Sequence, residues 1–127
     1  MLPITVKVGG VNYTVEEKEN LIQKDELWGE VNYFNTEINI DSSLSNDRKE
    51  QVLIHEVTHA IFLEAGYKEQ DEDMINRVSI VLHQVLKDNP NLINPLANVT
   101  HVNINATKLS KEDWERINSE PITTEGR

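Results

Sequence analysis

The chain has 127 residues, 38% of them hydrophobic and 27% charged, which suits a single soluble globular domain with a modest core. It carries a formal net charge of −10 and no cysteine. The acidity argues against direct binding to nucleic-acid phosphates, and the missing cysteine excludes disulfides, thiolate catalysis and cysteine-held zinc, so any metal must rest on histidine and carboxylate.

In chain order, residues 4–8 and 11–15 alternate on either side of Gly9-Gly10 and predict a β-hairpin. Residues 17–25 are polar and fit either a loop or a short helix. Residues 27–33 and 37–40 predict two further strands that turn at Asn35-Thr36, and the Ser/Asp/Asn-rich stretch 41–46 predicts a loop leading to a helix cap. A long helix is expected from Asn46 or Asp47 to Ala65, with Asp47 and Glu50 at capping-box spacing and Gly66 as its stop. Asp71 can cap a second helix that runs to about Asp88, where Asn89-Pro90 ends it. Beyond it, residues 91–98 fit a loop or helical turn, 100–105 an edge strand, Ser110 to Asp113 a helix start, and 121–127 a disordered tail. Trp28 and Trp114 are expected in the core.

The first long helix contains His55-Glu56-Val57-Thr58-His59, an H-E-x-x-H pattern within an apolar run. Residues four apart share one helix face, so both imidazoles can grip one metal ion, and Glu56 then lies beside a water at that ion. The apolar flanks, Val52-Leu53-Ile54 and Ala60-Ile61-Phe62-Leu63, extend almost all the way round the helix and predict its burial. Buried imidazoles and a carboxylate need partners, and a metal satisfies all three, whereas hydrogen bonds to backbone carbonyls are the blander reading.

A catalytic zinc ion (Zn2+) takes three protein ligands. The metzincin type of third histidine is excluded, because its glycine and histidine positions hold Phe62 and Ala65. Glu64 lies roughly 140° round the helix from His59. On the second helix, Asn76, Ser79 and His83 fall within about 40° of Glu72, as a polar stripe beside an apolar arc of Met74, Ile75, Val78, Val81, Leu82 and Val85. Glu72, in the first turn, is the foremost candidate for third ligand, with Asp71 and Asp73 beside it. The bland alternative is an acid that complements the helix dipole. His83 stands roughly 16 Å further along and suits packing rather than ligation. His101 has no assigned role.

These residues resemble small phage-type zinc metallopeptidases related to the ImmA/IrrE group. The likeness rests on the segment from Val52 to Ala60, on Glu72-Asp73-Met74-Ile75-Asn76-Arg77-Val78-Ser79, on the stretch from Leu82 to Pro90 and on the Ile38-Asn39-Ile40-Asp41 lead-in. It covers roughly residues 27–95. It implies an α+β, minimal zincin-like domain over residues 1–97, with a small antiparallel or mixed sheet of three or four strands on two main helices. Residues 98–127 are then a partly ordered extension. It also implies His55, His59 and Glu72 as ligands, Glu56 as general base, and a protein or peptide substrate such as a regulator of a mobile element.

For such an endopeptidase, Tyr67, Asn76 and His83 are the candidates for stabilising the oxyanion, and the strand at 37–40 is expected to be an edge along which substrate adds. A zinc-binding interaction module without catalysis is the competing expectation. The longest apolar runs are too short to span a bilayer and Met1–Ile4 is not followed by a signal-peptide stretch, so a cytoplasmic protein with no membrane partner is expected. The sequence does not fix an oligomeric state.

Overall fold

Seven elements appear in the computed structural model, which describes residues 2–92. They are β1 (Thr5–Val8), β2 (Val11–Lys18), α1 (Leu21–Asp25), β3 (Gly29–Asn32), β4 (Glu37–Asp41), α2 (Asn46–Glu64) and α3 (Glu72–Asp88). The α+β expectation holds, with one four-stranded mixed sheet. The expectations for residues 93–127, including His101 and Trp114, lie outside the described residues.

The β1–β2 hairpin turns at Gly9 and Gly10, whose φ angles of 58° and 86° lie in the left-handed region that glycine enters without a Cβ penalty. β2 then runs to Lys18, further than its alternation suggested, and the polar stretch behind it folds as the short helix α1. The strand order is β1-β2-β4-β3, with β2 and β4 parallel and the other pairs antiparallel.

This order corrects one expectation. β4 is central, between β2 and β3, and the edges are β1 and β3. Burial of four consecutive residues, Ile38 to Asp41, is the mark of a strand covered on both faces.

Alternating residues of the sheet, Tyr13, Val15, Ile38 and Ile40, meet Val52, Leu53 and Ala60 of α2 to form the core. Tyr13 is fully buried, and its hydroxyl donates to Glu64 Oε2 at 2.6 Å, which engages Glu64 on the sheet side of the helix. At the other end, Gly29 lets β3 approach α2. A Cβ there would stand 2.5 Å from Val52 Cγ1 and 3.1 Å from the Asn39 carbonyl oxygen.

The caps of α2 and α3 fix where the two helices begin and end. Ser45, not Asp47, caps α2, its Oγ accepting from the Arg48 amide at 3.2 Å. The helix closes with the Tyr67 amide on the Phe62 carbonyl and the Gly66 amide on the Leu63 carbonyl, a Schellman arrangement. Asp71 caps α3 as expected, through the amides of Asp73 and Met74.

α3 turns its polar stripe towards α2. Ser79 is buried there with Ile75, while Met74, Val78 and Val81 of the apolar arc are exposed. The rest of the arc is covered, with Ile75 buried and Leu82 and Val85 half-buried, while Glu72 and Asn76 of the stripe are exposed, so burial straddles the border between stripe and arc. Trp28 is also not core: it is 49% exposed, with the Arg48 guanidinium 4.9 Å above its ring.

Candidate metal centre

α2 presents Arg48, Val52, His55 and His59 within an arc of about 60° on one face. The two imidazoles lie edge to face, with centroids 4.9 Å apart. Glu72, the first residue of α3, reaches both: its Oε1 is 2.9 Å from His55 Nε2 and its Oε2 is 3.0 Å from His59 Nε2. The ligand atoms of His55, His59 and Glu72 lie within 4.8 Å of one another, a group able to hold a metal ion. Asp71 and Asp73, the alternatives to Glu72, are occupied elsewhere. Asp71 caps α3, and Asp73 pairs with Arg77 at 2.9 Å.

The hydrogen-bond network favours a proton on Nδ1 of each ring. Gln70 Nε2 donates to the His59 carbonyl at 3.2 Å, the Tyr33 hydroxyl at 3.3 Å and the Tyr67 carbonyl at 3.5 Å. Gln70 Oε1 therefore accepts, and His59 Nδ1 donates to it at 2.6 Å. Likewise, the Ser79 hydroxyl gives its proton to the Asn76 carbonyl at 3.0 Å, so at 3.4 Å it receives the one on His55 Nδ1. In the neutral imidazoles both Nε2 atoms then carry lone pairs, and both face a carboxylate that is also an acceptor.

Acceptors in contact repel unless a cation lies between them. Two imidazole nitrogens and a carboxylate oxygen, each imidazole anchored through its second nitrogen, form a donor set that zinc takes in hydrolytic sites. The residues present therefore fit a divalent metal.

Glu56 lies on the same helix and is buried, at 7% exposure. Burial pushes its carboxyl up to about 8, with the charges of Glu72 and then Glu30 adding to the effect. Burial also raises the Tyr33 hydroxyl, and Glu56 and Glu72 reinforce this against the hydrogen bond from Gln70. Tyr33 thus remains a neutral hydroxyl beside the acids.

A cleft of about 720 Å³ opens over the site, between the segment leading into β3, the ligand face of α2 and the inner face of α3. Of the three oxyanion candidates, Asn76 and His83 line it. His83 stands at a distance from Glu72, with its Nε2 3.6 Å from Glu50 Oε1, in agreement with a packing role. Tyr67 does not line it. Its ring is 60% exposed and packs against Phe62 at 5.6 Å.

Sequence reasoning missed Gln70 and Tyr33. Neither belongs to a periodic pattern with the ligands, and the only local hint was a glutamine just before the Asp71 cap. Ser79 had been noticed as part of the stripe, without its bond to His55. In comparisons with known proteins, no family model, no curated protein and no solved structure matches this chain significantly.

Proposed function

We propose that this chain is a zinc-dependent endopeptidase of the minimal zincin type, held in the cytoplasm and acting on a protein substrate. The observation that carries the reading is the convergence of His55 Nε2, His59 Nε2 and the Glu72 carboxylate next to the buried acid Glu56. When bound, zinc supplies Lewis-acid polarisation of the scissile carbonyl and of the attacking water.

The chain's residues do the rest. Gln70 and Ser79 hold the two Nδ1 protons and so keep both Nε2 lone pairs aimed at the ion. Glu56 accepts the proton of the attacking water and passes it to the leaving amine. A cation at the site favours its ionised form and opposes the influence of Glu72. Asn76, on the cleft wall, is the remaining oxyanion candidate of this reading. The strand that accepts substrate is β3, the edge of the sheet that borders the cleft through Gly29.

The resemblance to phage-type metallopeptidases directs the substrate search to regulatory proteins of mobile elements. The test is hydrolysis of unfolded casein and of a mixed peptide library by the zinc-loaded protein. Cleavage that Glu56→Gln abolishes while zinc stays bound supports the reading, and equal cleavage by the variant overturns it.

A second reading has one observation in its favour. Met74, Val78 and Val81 form an exposed apolar stripe on α3, as a zinc-stabilised interaction module would have. Bound zinc with a fourth protein ligand and no cleavage in either assay would favour it.

A further inference from the structure

The cleft extends well past the metal ligands. Arg48 lies on the ligand face of α2, seven residues before His55, which is roughly 10 Å of helix rise. That span matches about three residues of extended peptide. Among the described residues, Arg48 is also the one lysine or arginine that lines the cleft.

Three features mark Arg48 as a receptor group. Its guanidinium carbon lies 4.9 Å from the centroid of the exposed Trp28 indole, a cation–π contact that favours a guanidinium held at this place. Nη1 donates to Gln51 Oε1 at 2.7 Å, which holds one end and leaves the remaining donors to the cleft. Among the described residues Arg48 makes no ion pair, as is also true of Lys7, Lys24 and Lys68, but of these four Arg48 alone lines the cleft. Glu26 lines the same cleft yet makes no ion pair with it.

A planar guanidinium that lines the cleft without an ion pair suits two-pronged recognition of a carboxylate. We infer that Arg48 and Trp28 form a carboxylate-binding subsite of the cleft, about three residues from the scissile bond, so that the substrate is a peptide with an acidic group at that position. This rests on the peptidase reading. The carboxylate is either an aspartate or glutamate side chain or the terminal carboxylate of the substrate.

The test uses the zinc-loaded full chain carrying Glu56→Gln, so that peptides bind without being cut, and Trp114→Phe, so that Trp28 is the sole indole. Three acetylated alanine-rich hexapeptides are titrated by Trp28 fluorescence: one amidated with a single glutamate, one amidated with glutamine in its place, and the glutamine peptide with a free terminal carboxylate. The expected result is that the glutamate or the free-acid peptide binds about tenfold more tightly than the glutamine amide. Arg48→Gln should remove that preference and leave the glutamine amide unaffected. Whichever acidic peptide is preferred identifies the source of the carboxylate.

Equal binding of all three, a preference that survives Arg48→Gln, or no fluorescence change at millimolar peptide would overturn the inference. Carboxylate-selective binding in a protein whose Glu56-bearing form cuts nothing would keep the subsite and discard the peptidase. Cleavage without selectivity would do the reverse.

Discussion

The two flanks of α2 obey different rules. Towards the sheet, the helix buries Leu53 and Ala60 against Tyr13, Ile38 and Ile40, where any side chain of suitable shape and apolarity would serve. Towards the cleft, it carries His55, Glu56 and His59, and each imidazole there has a specific partner on another element. The first flank stabilises the fold by area, and the second gathers polar groups that could hold a metal ion. Substitutions on the two flanks should therefore separate cleanly into stability effects and site effects.

The largest effect is expected from Glu56→Gln, which keeps the shape and removes the base. Peptide hydrolysis should fall by about 10²–10⁴-fold while zinc content is unchanged, as read by steady-state assay beside elemental analysis. Leu53→Ala probes the opposite flank: urea unfolding should show a loss of about 3 kcal/mol, with the metal stoichiometry of the folded fraction unaltered. If Leu53→Ala instead emptied the site while the protein stayed folded, the division between flanks would be false.

A smaller change tests the anchors. Gln70→Leu should weaken zinc binding by about 10- to 100-fold in chelator competition, and Gln70→Glu, which still accepts from His59 Nδ1, should restore it. Unfolding of the metal-free protein should barely respond to either, which separates positioning from a general structural role.

The smallest effect lies away from both flanks. Asp41 accepts from the Ser43 hydroxyl, the Ile22 amide and the Ser43 amide, and these bonds hold its carboxyl below the ordinary range. Its contribution is present above the pKa of an unfolded aspartate and lost as pH falls through the lowered folded value. Acid titration of stability should accordingly be shallower in Asp41→Asn than in wild type.

The two flanks also differed in how readable they were. His55, Glu56 and His59 were legible because the helix repeat alone brings them together, and Glu72 because it heads a polar stripe on the next helix. The Asp71 cap and the Gly9-Gly10 turn were legible for the same local reason. Strand order was not: the parallel pairing of β2 with β4 joins residues more than 20 positions apart, and no local pattern distinguishes a central β4 from an edge. Gln70 and Tyr33 were invisible because their role depends on a three-way meeting of the β3–β4 turn, the end of α2 and the link to α3. Trp28 misled because aromatic bulk suggests core, while here the ring supports Arg48 at the mouth of the cleft.

The most direct test of the central claim is zinc titration of the metal-free protein, wild type beside Glu72→Ala, with bound metal measured per chain. One zinc per chain in wild type, with affinity reduced at least 100-fold in the variant, is the result this account predicts. No zinc bound by the folded wild type, or equal affinity in both proteins, would contradict it.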